Sequence, residues 1–254
     1  MRIIGLTKVR SESKIMKETL DHWGNICTGG IYVYDDVSTD DTVQICKDHP
    51  AVNQVIEGTF WDPDREKAEW FNRQAALTAA KENAMEDDWF VYFDADERLY
   101  NFNYQPLYEE GVDAIACRLY DIYITPEDVD KSYLDRDRVG PEYRTIVFFF
   151  RNHPALSYDK PDQRIVNLKP KARVVLDGII KHYGKGLSVE HWKETCDYYI
   201  NHWPKYQEKW KKRRDNAIKT DHKSDFGNTL ISFNDVLKGE AGGFSLESQS
   251  YGKN

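Results

Sequence analysis

The chain has 254 residues, of which 40% are hydrophobic and 13% aromatic, enough for one large α/β domain or one domain with an appendage. Its net charge of −8 argues against nonspecific nucleic-acid binding, which needs a broad positive field, but permits a local basic pocket. The four cysteines are scattered without a C-x-x-C pair, which indicates neither a zinc site nor a disulfide framework and is typical of a reducing compartment.

The hydropathy pattern indicates neither a membrane span nor a signal peptide. No segment approaches the roughly 20 apolar residues that a spanning helix needs, and the apolar run at the start of the chain is too short for a signal peptide. We therefore expect no transmembrane segment and a cytoplasmic location.

Apolar runs alternate with amphipathic segments through residues 1–100. Predicted strands cover residues 2–7, 31–34, 51–57 and 89–93. Predicted helices cover residues 15–23 and 68–85, with a further helix after residue 42. This alternation predicts an α/β fold with a doubly wound, mostly parallel central sheet flanked by helices.

Acidic residues follow the second and fourth predicted strands. Asp35 and Asp36 end the second strand, and Asp94, Asp96 and Glu97 end the fourth. Since the carboxyl ends of parallel strands share one edge, both groups should lie where α/β folds bind ligands. In an extended chain Asp94 and Asp96 point the same way, which suits Mg²⁺ or Mn²⁺ together with substrate phosphates. A solvated acidic turn and a helix-start role are the plain alternatives.

Two segments resemble motifs of family 2 glycosyltransferases. Residues 34–42, YDDVSTDDT, resemble the family's Asp-Asp-x-Ser element, and residues 93–97, FDADE, resemble its Asp-x-Asp metal motif. Their separation of about sixty residues and the helical segment 72–76 also match. The resemblance implies a GT-A fold, a Rossmann-like sheet with a C-terminal helical extension. The short chain is also similar to stand-alone glycosyltransferases of large viruses.

The same resemblance implies a site for a nucleotide-sugar donor, with UDP as the expected nucleotide. Thr7 and Arg10 would touch the nucleotide, and Asp36 would bind its uracil or ribose end. Asp94 and Asp96 would hold the sugar nucleotide and its Mn²⁺ or Mg²⁺.

The remaining implied contacts are less specific. Arg65 or Lys67 would meet the diphosphate, with Arg73 as the third alternative. His182 follows an apolar strand and precedes two glycines, so it can act as a neutral imidazole ligand to the metal. Lys185 beside it could neutralise the leaving diphosphate.

An inverting transfer also needs a carboxylate that removes the acceptor proton. Asp162 is the first candidate for this base, and the alternatives are Asp159, Asp121 and Asp137.

Domain organisation follows from the change in composition along the chain. We expect a catalytic domain over residues 1–187, with a nucleotide-sugar half to residue 100 and an acceptor half over 101–187. A helical appendage would cover residues 188–220, and residues 221–254 would form a loosely ordered tail. The basic run 209–214 lies on a predicted helix and would be a solvated face, a peripheral membrane contact or a docking site.

These observations predict metal-dependent transfer of a hexose from a nucleotide sugar to a hydroxyl of a glycan or glycoprotein. A nucleotidyltransferase acting on sugar phosphates is the first alternative, although residues 8–13 contain no glycine for the phosphate loop it would need. A noncatalytic nucleotide-sugar-binding module is the second alternative.

Overall fold

The computed structural model describes residues 1–160 and 163–246, and the chain forms two compact units. The first unit consists of Met1–Arg98, Asn103–Ala116 and the described residues of Val147–Asp177. The second consists of Leu99–Phe102, Cys117–Ile146 and the described residues from Gly178 onward.

Strands and helices alternate in the order that the apolar pattern predicts for the first hundred residues. The strands, in chain order from β1 to β11, are Ile3–Val9, Ile31–Asp35, Val52–Glu57, Trp89–Tyr92, Glu97–Tyr100, Ala114–Asp121, Arg138–Val139, Glu142–Arg151, Val174–His182, Ile231–Ser232 and Phe244–Ser245. The helices, from α1 to α7, are Met16–Gly24, Thr42–Asp48, Arg65–Lys81, Gln105–Tyr108, Val189–His202, Gln207–Arg214 and Phe233–Lys238.

The first unit contains the parallel strands, in the order β3-β2-β1-β4. The part of β8 in this unit pairs antiparallel with β4, so the sheet is mixed. Helix α3 packs against β1 and β2, and its Leu77 and Ala80 join Leu6 and Phe90 in the core. The predicted α/β fold is confirmed, and its uninterrupted apolar strands are buried because helices cover the sheet.

Helix α1 is anchored to the chain that follows β4. The Trp23 ring stacks on Phe93 at 4.4 Å, and its indole N–H donates to the carbonyl of Glu97 at 2.9 Å. The Thr19 hydroxyl donates to the carbonyl of Ala95 at 2.5 Å. These bonds fix the backbone of residues 94–97, because two of its carbonyls accept hydrogen bonds from buried side chains of α1.

The second unit contains the other parts of β8, β6 and β9, followed in the sheet by β5. Strand β10 pairs antiparallel with β7, and β11 pairs parallel with β8. Helices α5 and α6 pack together, with Tyr199 stacked on Trp210 at 4.3 Å. They form the helical extension that was expected after residue 188.

Two segments differ from their predicted conformation. Helix α3 begins at Arg65 instead of residue 68, because Asp64 accepts a hydrogen bond from the N–H of Lys67 and caps it. Asp94 and Asp96 lie in a turn, in which the N–H of Glu97 donates to the carbonyl of Asp94 at 3.1 Å, so alternation along a strand does not orient them.

The described part of segment 221–254 contains more regular structure than its composition indicates. Ser232 caps α7 by accepting the N–H of Asp235, and Gly239 ends the helix with φ at 75°. Phe233 and Val236 are buried in the core of the second unit. Residues 247–254 lie outside the described part of the chain.

Candidate functional site

The parallel strands bring the predicted nucleotide residues to one edge of the first unit. Strand β1 pairs in parallel with β2 on one side and with β4 on the other. Arg10, Asp36 and Asp94 follow β1, β2 and β4, so they lie at the edge formed by the carboxyl ends of these strands. The expectation that both groups of acids follow strands at the same edge is confirmed.

Asp36 is held between two arginines. Its carbonyl accepts a hydrogen bond from Arg10 Nη1 at 2.8 Å, and its carboxylate forms a buried ion pair with Arg65 Nη2. Both guanidinium groups lie over the Trp61 ring, at 5.0 Å and 5.1 Å from its centre. Because the charge of Arg65 is matched by Asp36 inside the protein, the geometry favours positioning of Asp36 over contact with a diphosphate.

The other two residues considered for the diphosphate lie in different surroundings. Lys67 Nζ pairs with Asp64 at 2.9 Å on the exposed first turn of α3. Arg73 is buried, and its guanidinium lies 5.2 Å from the centre of the Tyr92 ring, within electrostatic range of Asp94. Its Nε has no hydrogen-bond partner in the described ranges. Of the two, Arg73 therefore shares its surroundings with the acidic turn.

Glu69 links Lys8 to Arg73, a role that was not predicted from the sequence. Its carboxylate pairs with Lys8 Nζ at 2.5 Å and with Arg73 Nη2 at 2.8 Å. Burial alone would raise the pKa of Glu69, but the charges of Lys8 and Arg73 lower it to about 2. The signal was present, because Arg65, Glu69 and Arg73 follow one another at four-residue spacing on α3.

Two buried oxygens near these strand ends lack a hydrogen-bond partner among the residues that the structure describes. They are Thr7 Oγ1 and Asp35 Oδ1. The second oxygen of Asp35 is paired, since it accepts the N–H of Ser38 at 3.0 Å. An unpaired buried polar group costs about 1–3 kcal/mol, which a ligand supplying the missing partner would recover.

The acidic turn after β4 is tied together by Arg164. Its Nη1 pairs with Asp94 Oδ2, and its Nη2 lies 2.7 Å from Glu97 Oε2. Glu97 also accepts the N–H of Asp94 at 2.8 Å, and Tyr92 OH donates to Asp94 Oδ1 at 3.1 Å. Glu97 is only 2% exposed, so it acts as a support for the turn, while Asp94 is accessible to solvent.

Asp96 lies in the same turn and is partly exposed. Glu12, from the loop after β1, lies within electrostatic range of both Asp96 and Asp94. Burial raises the pKa of Glu12 to about 8, and the negative charges of Asp96 and Asp94 contribute to the rise. Carboxylates that repel one another in this way create a favourable place for a cation.

The donor set fits a divalent ion that is bound partly by its substrate. No group of three or more His, Cys, Asp or Glu side chains within residues 1–160 and 163–246 is arranged around one ion position. Mg²⁺ usually takes only one or two carboxylates together with phosphates and water, and Mn²⁺ also accepts such oxygen ligands. Asp94 and Asp96 are two such carboxylates in one turn, and both Asp94 oxygens already have a partner, one in Arg164 and the other in Tyr92.

The predicted metal ligand His182 is the last residue of β9 and lies in the second unit, whereas Asp94 and Asp96 lie in the first. Its Nδ1 is hydrogen-bonded to Asp121 Oδ1 at 2.6 Å. Histidines that bind a metal usually have a carboxylate or carbonyl on the other ring nitrogen, so this bond is compatible with that role. It is equally compatible with a structural pair, and the metal role of His182 stays a prediction.

The predicted catalytic base, Asp162, lies outside the described residues. Of its three alternatives, Asp159 accepts a hydrogen bond from Asn167 and Asp137 accepts one from the N–H of Asn234. Burial alone would raise the pKa of Asp121, but Arg144, Lys185 and His182 hold it well below its usual value. A base must take up a proton, so Asp121 is poorly suited to the role.

Comparisons with known proteins give partial matches. No protein-family model matches the chain. Proteins of Mycobacterium bovis and Mycobacterium tuberculosis, both described as uncharacterized, are 33% identical to it over 99 residues. That segment is 38% of this chain and 23% of each relative, so the chain matches about a quarter of the length of these relatives.

Among solved structures, residues 1–349 of Staphylococcus aureus TarS are similar over 85% of this chain and 71% of that chain, with 15% identity and a TM-score of 0.43. Glucosyl-3-phosphoglycerate synthase of Mycobacterium tuberculosis, in complex with Mn²⁺, UDP and glucosyl-3-phosphoglycerate, is similar over 46% and 44% of the two chains, with 19% identity and a TM-score of 0.33. Mannosyl-3-phosphoglycerate synthase of Rubrobacter xylanophilus is similar over 51% and 42%, with 19% identity and a TM-score of 0.31.

No helix within the described ranges has both the length and the apolar character needed to cross a membrane.

Proposed function

We propose that the protein is a metal-dependent glycosyltransferase of the GT-A fold. It transfers a hexose from a nucleoside diphosphate sugar, with UDP as the nucleotide, to a hydroxyl group of a glycan or glycoprotein, inverting the anomeric carbon. The observation that carries the proposal is the placement of Asp36 and of the turn containing Asp94 and Asp96 after parallel strands that end at one sheet edge. Membership of family 2 and a cytoplasmic location belong to the same proposal.

The donor nucleotide would be recognised at the ends of β1 and β2. Asp36 is a buried acceptor whose position is set by Arg10 and Arg65, so it offers a fixed contact to a ribose hydroxyl or base N–H. Thr7 Oγ1 is a buried hydroxyl still able to donate or accept a hydrogen bond. The two guanidiniums already lie over the ring of Trp61, which leaves less of that ring for a nucleotide base to stack on.

Asp94 and Asp96 would hold the divalent ion. When bound, Mn²⁺ or Mg²⁺ would neutralise the charge that develops on the departing nucleoside diphosphate. Arg164 is paired with both Asp94 and Glu97, so it would hold the turn that carries the two metal ligands. The carboxylate of Asp162 would accept the proton of the acceptor hydroxyl.

The test is binding of UDP-, GDP- and dTDP-sugars to the full chain by calorimetry, with and without Mn²⁺, followed by release of the nucleotide. We expect metal-dependent binding of a UDP-sugar and loss of at least tenfold in affinity in Asp96→Ala, because one of two charged ligands is removed. Asp130→Ala is the matched control, since Asp130 is an exposed acid of the second unit without an ion pair among the described side chains.

The outcomes separate the competing functions. Metal-dependent binding followed by slow sugar release supports a glycosyltransferase, whereas binding without any turnover on any acceptor supports the noncatalytic module. Formation of a nucleotide sugar from a sugar phosphate and a nucleoside triphosphate would support the nucleotidyltransferase. Equal donor affinity in Asp96→Ala and Asp130→Ala would refute the site itself.

A further inference from the structure

The second unit contains a cluster of cationic side chains around two acids. The acids are Asp121 at the end of β6 and Asp225 in the loop after α6. Five cationic side chains surround them, and the cluster consists of Arg144, Lys185, Lys209, Arg213 and Lys219. Positive charge therefore exceeds negative charge in this part of the protein.

The inner part of the cluster is rigid. Lys185 Nζ lies 2.8 Å from Asp121 Oδ2 and 2.9 Å from Asp225 Oδ2, and Lys219 Nζ lies 2.7 Å from Asp225 Oδ1. Asp225 is only 2% exposed. Both ammonium groups also lie over the ring of Tyr123, at 4.9 Å and 5.5 Å from its centre. These contacts use both acids to hold the two lysines, so the acids are not available to neutralise the outer cations fully.

The outer part of the cluster is accessible and incompletely paired. Arg144 lies 2.7 Å from Asp121 but is 45% exposed, and Arg213 Nη1 is 3.3 Å from Asp225. Lys209 is exposed and has no carboxylate within ion-pair distance among the residues described. Although the residue as a whole is exposed, its ammonium is partly shielded from water, which lowers the pKa of Lys209, and the neighbouring charges of Arg213 and Lys185 lower it further. These side chains present donors that an anion could bind.

The charges of α6 are arranged differently from those of a membrane-binding helix. Its outward cations Lys211 and Arg214 are neutralised locally, by Glu208 at 3.0 Å and by Asp197 at 2.6 Å. Lys209 and Arg213 interact instead with the cluster, and Lys212 is exposed without an ion pair among the described residues. An anionic surface would attract an evenly basic face, whereas this distribution concentrates positive charge at one point.

We propose that this cluster binds an oxyanion, a phosphate or carboxylate group, carried by the acceptor substrate. The guanidiniums of Arg144 and Arg213 supply planar pairs of donors for such a group, and Lys209 supplies a point charge. Only the assignment to the acceptor rests on the proposed glycosyltransferase function; the anion site itself does not. The proposal narrows the acceptor to a sugar or glycan that bears an acidic group.

The test is titration of the full chain with inorganic phosphate, followed by NMR of the arginine side-chain N–H groups and by calorimetry. We expect saturable binding with shifts of the Arg213 and Arg144 signals, weakening as salt increases. Lys209→Gln should reduce the affinity about fivefold, as expected for one partly solvated charge. Lys212→Gln is the matched control, because Lys212 is exposed on the same helix and has no ion pair in the described structure.

Parallel titrations with acetate distinguish carboxylate from phosphate, and binding of either one supports the site. Absence of saturable binding of both, or equal affinities in the Lys209→Gln and Lys212→Gln variants, overturns it. Displacement of phosphate by UDP would assign the anion to the donor and overturn the acceptor role. Binding to phosphatidylglycerol vesicles that depends on Lys209, without binding of free phosphate, would replace the proposal with a membrane contact. The affinity of the wild type and of Asp96→Ala for the nucleotide sugar is measured in a separate experiment. It tests the glycosyltransferase proposal without depending on the result of the phosphate titration.

Discussion

Replacing Arg164 with glutamine tests whether this residue supports the acidic turn. Arg164 Nη2 lies 3.0 Å and 2.7 Å from the two carboxylate oxygens of Glu97. Removing one partner of a buried ion pair costs about 3–5 kcal/mol, because the other charge stays buried. In the variant Glu97 still accepts a hydrogen bond from the N–H of Asp94, and Arg164 is 21% exposed in the native protein. We therefore expect a loss at the lower end of this range, about 3 kcal/mol in the free energy of unfolding.

The assay is urea unfolding of the full chain at neutral pH. Arg173→Gln is the control, because Arg173 belongs to an exposed pair with Glu109 and should cost less than about 1 kcal/mol. Adding Glu97→Gln to Arg164→Gln should recover more than half of the lost free energy of unfolding, because the double variant no longer buries an unpaired Glu97 carboxylate. If Arg164→Gln costs no more than Arg173→Gln, or if the second substitution recovers nothing, burial of an unpaired Glu97 charge is not the cause.

Arg164→Gln should lower the stability of the protein but raise its affinity for a divalent cation. Arg164 binds Asp94 Oδ2, so a divalent ion competes with a guanidinium for that carboxylate. Removing a unit charge near a partly exposed site is worth about 1–2 kcal/mol, so Mn²⁺ should bind about tenfold more tightly to Arg164→Gln. Calorimetric titration with Mn²⁺ measures this, and weaker binding would show that Arg164 assists the cation site instead of competing with it.

Two glutamates should make the stability depend on pH in opposite ways. The folded-state pKa of Glu69, about 2, is below its ordinary value of 4.5, so its contribution is present above pH 4.5 and is lost as the pH falls toward 2; Glu69→Gln should flatten this acid limb of a plot of urea midpoint against pH. The folded-state pKa of Glu12, about 8, is above 4.5, so its contribution is complete below pH 4.5 and is lost as the pH rises through 8; Glu12→Gln should flatten the limb between these values and leave the acid limb unchanged. An unchanged limb in either variant would contradict the corresponding assignment.

The features that the sequence predicted are those encoded locally. Short apolar runs without turn residues are stable as strands only when both faces are removed from water, so they predict strands of a sheet that is covered on both sides. The placement of Asp36 and Asp94 at one edge then follows from the polarity of parallel strands. Composition was a weaker guide for residues 221–246, where Ser232 and Asp235 form a helix start and Phe233 is buried. That capping signal was in the sequence, but the abundance of Gly, Ser and Asn obscured it.

The partners of the charged residues could not be predicted, because pairing depends on which segments the fold brings together. Asp94 pairs with an arginine 70 residues further along the chain, and Lys8 pairs with a glutamate 61 residues away. Every basic residue of the motif region was therefore an equivalent diphosphate candidate in the sequence. In the structure Arg65 is paired inside the protein and Lys67 is exposed on a helix turn. Burial makes the difference between them, because a buried charge must be matched locally, whereas an exposed one is matched by water.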